Sequence, residues 1–333
     1  IEYSKLYTPA KIDQTAFITS ITSFDIDSTK KLETISFIGD SSTLYASNSA
    51  IYLVSEKYPI YYSWSDYKMR SAIYKFSIKD GLTYRGKNFV DGRILNQFSL
   101  SEYQDNLRVA TTTGWSWQNN TDNIITVLED TDTSLNILGK LDGLGKEGET
   151  IKGVRFLGDK GFIVTFRQTD PLYTIDLSNP SEPKKVGELE IPGYSSYFHP
   201  IDSDRILSIG RDADENGREL GIQIQLFDIS DFAKPTLADK VTIGDSWNYN
   251  SEALNNHKAF TYRASDSLFA IPINQYYERE PIVVDGEEYY PKYGWEYKNY
   301  LDIYRVNGLE IKSIDKIDGN STTYNYNYQR GVI

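Results

Sequence analysis

Two histidines are the whole of the near-neutral acid–base chemistry in these 333 residues, and no cysteine accompanies them. Without a thiol there is no thiolate nucleophile, no disulfide and no cysteine-bound zinc. The imidazoles lie in two short motifs, Tyr197-Phe198-His199-Pro200 and His257-Lys258-Ala259-Phe260. Together with Arg155, Glu252 and Lys258 they would form a ligand or anion site if the fold gathered them. The plainer alternative is that these groups hydrogen-bond loop carbonyls and pin neighbouring elements. Two histidines without a third ligand make a poor zinc site. The chain has no G-x-S-x-G elbow, H-E-x-x-H or glycine-rich phosphate loop, so no triad or phosphate chemistry is signalled. A catalytic carboxylate pair cannot be singled out from 47 acidic residues.

Two further constellations could bind. Asp212-Ala213-Asp214-Glu215-Asn216-Gly217 sets oxygen-bearing side chains at alternate positions before a glycine. That pattern suits a hard cation, with calcium as the cofactor and Asp212, Asp214, Asn216 and Glu219 as its ligands. The twelfth position from Asp212 is Gln223, so the loop is not an EF-hand, and a polar hairpin turn is the competing reading. The second constellation is aromatic. The insertion from Asn274 to Asn299 holds Tyr290, Tyr293 and Trp295 among carboxylates. Smaller relatives of it carry Tyr62 with Trp64 and Trp115 with Trp117. Aromatic faces with carboxylates between them suit sugar rings or a protein partner. Asn119 and Asn320 begin glycosylation triplets.

Strands must position these groups. Asp176-Leu177-Ser178-Asn179-x-x-x-Pro183 and Asp228-Ile229-Ser230-Asp231-x-x-x-Pro235 share one grammar. Each joins two alternating apolar runs, as stacked antiparallel sheets require. The spacing predicts four strands per repeat: a full set over 43–94, then 97–142, 151–192, 196–244 and 252–317, with partial sets at 15–39 and 323–333. Second strands such as Phe162-Ile163-Val164 are apolar on both faces, as a packed central strand should be. Third strands such as Gln223-Ile224-Gln225-Leu226 alternate, which predicts one wetter face. The expected fold is therefore all-β, a β-propeller of four-stranded antiparallel blades, about seven with two of them partial. The 333 residues read as one domain that is an internal portion of a longer chain. In such a ring the first strands line the channel, so Arg155, His199 and His257 would meet at its mouth. The three aromatic segments all join second to third strands and would share one side.

The formal net charge is -12, which repels nucleic acid and anionic membrane surfaces. No run approaches the roughly 18 apolar residues that a membrane helix needs. Aromatic residues make up 14% of the chain, too many for a disordered segment.

Several segments resemble a family of secreted microbial proteins with a C-terminal β-propeller domain distantly akin to WD repeats. Among them are Leu95-Asn96-Gln97-Phe98-Ser99-Leu100-Ser101-Glu102-Tyr103, Val154-Arg155-Phe156-Leu157-Gly158-Asp159, Ile191-Pro192-Gly193-Tyr194-Ser195 and Ser251-Glu252-Ala253-Leu254. The resemblance implies a propeller fold and export to the cell surface or medium, and it implies no activity. The expectation is a non-enzymatic binding or scaffold module for a glycan or cell-surface protein. The alternative is a carbohydrate-active hydrolase or lyase working at the channel mouth.

Overall fold

A computed structural model describes residues 5–7, 17–24, 33–57, 69–131, 134–167, 170–214, 216–278, 282–284, 287–289 and 295–319. The first sheet is small: β1 (Leu6–Tyr7) runs parallel to β3 (Glu33–Ile38), which pairs antiparallel with β2 (Ile18–Ser23). Next come β4 (Thr43–Ala46), β5 (Ala50–Lys57), β6 (Arg70–Ser77) and β7 (Thr83–Asp91), neighbours in chain order. The plan repeats in β8 (Leu100–Tyr103), β9 (Asn106–Thr113), β10 (Asp122–Asp130) and β11 (Leu135–Leu144). It repeats again in β12 (Thr150–Leu157), β13 (Lys160–Phe166), β14 (Asp170–Asp176) and β15 (Lys184–Ile191). A further copy is β16 (Tyr194–Pro200), β17 (Arg205–Ala213), β18 (Glu219–Asp228) and β19 (Thr236–Ile243).

The last sheet departs from the plan. Its first strand is split into β20 (Tyr249–Asn250) and β21 (Thr261–Arg263), both paired with β22 (Leu268–Glu278). Two 3-10 turns, Glu252–Leu254 and His257–Ala259, fill the gap between them. A small hairpin of β23 (Ile282–Val284) and β24 (Glu287–Tyr289) precedes β25 (Trp295–Asn307) and β26 (Glu310–Asp318). The Asn274–Asn299 insertion is therefore partly a lengthened hairpin, with Glu278 opposite Trp295.

The chain divides into two compact units. One comprises 1–151, 155–162 and 175–185, the other 152–154, 163–174 and 186–333. In the first, Tyr52, Val54, Ile73, Leu107, Val109 and Leu128 form a dry core between two sheets. In the second, Leu207, Ile224, Leu226, Phe269, Ile271 and Tyr304 do the same. Each such side chain contributes about 1.5–3 kcal/mol on full burial.

The third strands correct one expectation. They are buried on both faces, and Thr126, Gln223 and Gln225 are as dry as their apolar neighbours. The polar alternation marks paired groups inside the packing, not a wet face: Gln225 Oε1 accepts from the hydroxyls of Ser195 and Ser208, each at 3.3 Å. The wetter strands are the fourth ones, as in β26.

The repeated Asp-Ser turns form as their chemistry dictates. Asp176 Oδ1 accepts from Ser178 N at 2.8 Å and Asp228 Oδ1 from Ser230 N at 2.9 Å, closing Asx turns. Donation from those serines holds both carboxyls below their ordinary range. Each turn rests on a glycine in the preceding fourth strand: a Cβ on Gly139 would lie 2.3 Å from Pro180 O, and one on Gly187 would lie 2.7 Å from Ala233 O.

Candidate functional site

At one end of two of the sheets, the linker from the preceding fourth strand meets the end of the second strand where it turns toward the third. In the first unit this end is built around Trp115 and Trp117. Arg93, in the linker after β7, exchanges backbone hydrogen bonds with Thr112 of β9. Its guanidinium donates to Gly114 O at 3.1 Å and covers the Trp115 ring at 5.0 Å. Asn120 Oδ1 accepts from Trp115 N at 2.8 Å, and Asn120 Nδ2 donates to Gln118 Oε1 at 3.0 Å. Gly114 is required here, because its φ is +66° and a Cβ would lie 2.1 Å from Asn120 O. The loop clamps Trp115 and leaves Trp117 at its tip, 69% exposed. Exposed Asn119 follows in the left-handed region at φ 54°.

The second unit carries the same joint with different residues. Gly244 turns the chain at φ +72°, where a Cβ would lie 2.1 Å from the Tyr249 ring. Asn248 O accepts from Tyr276 N at 2.8 Å and Asn248 Nδ2 donates to Tyr276 O at 2.8 Å. Gln275 Nε2 donates to Tyr249 Oη at 2.8 Å. Tyr276 packs edge-on against Tyr297 at 5.0 Å. Trp247 is 67% exposed on this braced turn, and Tyr277 is 36% exposed. Sequence reasoning missed Trp247 because it sought aromatics only between second and third strands. The available signal was a tryptophan inside the polar run Asp245-Ser246-Trp247-Asn248.

The histidines meet in one aromatic cluster. His199, on β16, lies 4.5 Å from the Tyr262 ring and 4.9 Å from Phe260. His257 lies 6.1 Å from Tyr197, whose hydroxyl is 3.3 Å from His199 Nδ1. Glu252 Oε1 accepts from Asn256 Nδ2 at 2.6 Å, and Asn256 Oδ1 accepts from exposed Lys258 N at 3.1 Å. These two residues therefore shape the 3-10 turns. Arg155 belongs to β12, with its guanidinium 5.1 Å from the Phe98 ring.

The 212–219 segment closes the β17–β18 hairpin. Lys240 Nζ lies 2.6 Å from Asp212 Oδ1. Asp214 Oδ1 accepts from Asn216 N at 3.0 Å and Arg218 N at 2.9 Å, and this donation holds its carboxyl below the ordinary range. Tyr194 donates to Glu219 Oε1 at 3.1 Å. Among the described residues no three or more His, Asp or Glu side chains gather as a metal site would require. Tyr62, Trp64, Tyr290, Tyr293 and Asn320 lie outside the described residues, and Trp295 opens β25.

A buried charge cluster was also missed. Lys75 Nζ lies 3.0 Å from Asp130 Oδ2 and 3.3 Å from Glu102 Oε1. Ser47 and Ser49 donate to the other Glu102 oxygen, and Arg85 reaches Asp130 at 3.4 Å. Burial alone would raise the Glu102 carboxyl, but the serine hydroxyls and the Lys75 charge outweigh it and hold it low. The signal was a lysine inside the apolar run Ile73-Tyr74-Lys75-Phe76.

Successive four-stranded sheets, each joined from its outer strand to the first strand of the next, define a blade-built all-β protein. The chain belongs to the β-propeller domain family, whose model matches residues 1–333. An uncharacterised protein of Archaeoglobus fulgidus is 40% identical over 265 residues, which are 78% of this chain and 39% of that protein. Another, from Methanocaldococcus jannaschii, is 41% identical over 210 residues, 63% of this chain and 31% of that protein. The chain thus spans well under half the length of these relatives. Among solved structures, Sqt1 from Chaetomium thermophilum has a TM-score of 0.37 at 12% identity, covering 66% of this chain and 62% of its own. The β-propeller domain of the Trilobed protease from Pyrococcus furiosus has a TM-score of 0.36 at 12% identity, covering 83% and 84%. No helix among the described residues is long and apolar enough to cross a membrane.

Proposed function

We propose that this propeller is an exported, non-catalytic binding module that engages a glycan or a cell-surface protein through the linker end of its sheets. The observation that carries the reading is the display of Trp117 and Trp247, each about two-thirds exposed on a hydrogen-bonded turn. Tryptophan held rigidly in water is costly to hydrate and loses little conformational freedom on contact, which is why it dominates binding surfaces. Export rests on the resemblance of the quoted segments to secreted proteins, and after export Asn119 would be a glycan acceptor beside Trp117. The net charge of -12 argues against nucleic acid as the partner. Binding is favoured over turnover because both half-buried imidazoles lie against aromatic rings.

The test is cosedimentation of the chain with cell-envelope preparations, comparing wild type with a Trp117→Ala, Trp247→Ala double variant of equal melting temperature. The double variant should lose most of the binding. Equal retention of both proteins, or none by the wild type, would refute the reading.

A further inference from the structure

The joint around Trp247 has a face as well as an exposed ring. Tyr249 stands opposite Gln275 in the β20–β22 ladder, and Gln275 stands opposite Lys298 in the β22–β25 ladder. Asn248 continues the pairing to Tyr276, so Trp247 and Tyr277 are the next residues along. Side chains two apart on a strand share a face. Tyr277 therefore lies on the face that bears Tyr249, Gln275 and Lys298. The result is a strip that carries Tyr277 with the Gln275 amide and the Lys298 ammonium, next to the turn that displays Trp247.

We infer that this strip is a binding site for a neutral oligosaccharide, with Trp247 and Tyr277 as the stacking platform and the surrounding polar groups meeting the sugar hydroxyls. The inference rests on the proposed binding role and names its ligand class. Size decides against a protein partner at this strip. Two aromatic side chains exposed by 67% and 36% offer on the order of 250 Å². A stable protein interface takes about 800 Å² from each partner, whereas one or two sugar rings need only a small platform. Charge decides the kind of glycan: a chain of net charge -12 repels polyanionic polymers. Rigidity favours the site, because Gly244, Asn248 and Gln275 already hold the turn and little ordering remains for binding to impose.

The experiment titrates the chain with neutral hexasaccharides of β-linked glucose, N-acetylglucosamine and mannose, and with polygalacturonate, by tryptophan fluorescence and calorimetry. At least one neutral hexasaccharide should bind. Trp247→Ala should weaken that binding about tenfold, Tyr277→Ala about threefold to fivefold, and Trp247→Phe less than the alanine change. Ile137→Ala, at an exposed position of β11 that takes no part in either aromatic turn, should leave it within about twofold. Binding unaffected by Trp247→Ala, tighter binding of polygalacturonate, or no neutral binding at all would overturn the inference. If the double variant still lost envelope binding in those cases, the binding role would stand and a neutral oligosaccharide at this strip would not be its partner.

Discussion

Lys75 Nζ lies 3.0 Å from Asp130 Oδ2, in a place where neither charge meets much water. Four strands from two sheets supply this cluster: β6 the lysine, β7 Arg85, β8 the Glu102 carboxylate and β10 Asp130. Attraction between buried ions only roughly repays their desolvation. Removing one partner is another matter, because the survivors stay buried. Lys75→Met takes the shared cation from Glu102, which keeps its serine donors, and from Asp130, which keeps Arg85 at 3.4 Å. It should cost about 3–5 kcal/mol in denaturant unfolding. A Lys75→Met, Glu102→Leu double variant should recover part of that loss.

The same cluster sets an acid limit. Serine donation and Lys75 hold the Glu102 carboxyl below its ordinary value in the folded chain. Its stabilising contribution is complete above the unfolded value of about 4.3 and is lost as pH falls through the lower folded value. Melting temperature should therefore drop with acidification below about pH 4.3. In Glu102→Gln the curve should start lower and fall less steeply over that window.

Much of this architecture is legible in the sequence because its signals are local. Asp176, Ser178, Asp228 and Ser230 bond within their own turns, so residue type alone announces them. Apolar runs such as Phe162-Ile163-Val164 need only burial, and they receive it. What was illegible depends on distant partners. Gln225 reads as an exposed residue until Ser195 and Ser208 are brought beside it. Lys75 reads as a strand-edge charge until Glu102 and Asp130 arrive from the next sheet. The strand spacing places His257 on a first strand, whereas the split between β20 and β21 puts it in a 3-10 turn. The candidate site divides likewise: Trp117 was marked by its own loop, but Trp247 gains meaning only from the Asn248–Tyr276 ladder.

Asp302 should behave in the opposite way to Glu102. It sits on β25, where burial raises its carboxyl above the ordinary value despite Lys316 and a hydrogen bond from Tyr304 at 3.2 Å. A raised carboxyl means that the folded chain holds a proton more tightly than the unfolded one. Its ionisation at neutral pH therefore opposes folding, and that cost disappears on acidification. Asp302→Asn keeps an acceptor for Tyr304 and removes the charge. It should raise the melting temperature at pH 7, and the gain should vanish in acid below the unfolded aspartate value of about 3.9. No gain at neutral pH would show that Lys316 repays the burial.

Gly139 and Gly187 test how the sheets pack onto the Asx turns. Both occupy fourth strands where the next sheet's third-to-fourth turn presses close: a Cβ would stand 2.3 Å from Pro180 O at Gly139 and 2.7 Å from Ala233 O at Gly187, where Thr174 Oγ1 of the same sheet is nearer still at 2.5 Å. The neighbours at Gly139 are backbone atoms, which cannot swing aside as a side chain would. Gly139→Ala should therefore cost about 1–3 kcal/mol through overpacking. Gly187→Ala should cost a similar amount, because Ala233 O is also within 2.7 Å and Thr174 must give up its 2.7 Å hydrogen bond to Phe232 O to make room. Gly143 is the control. It has φ +71° but nothing within 4 Å of an added Cβ, so Gly143→Ala carries only backbone strain of about 1–2 kcal/mol. Gly139 and Gly187 lie outside the left-handed region, so if both of their alanine variants unfolded at the wild-type denaturant concentration, contact with the turn would cost nothing.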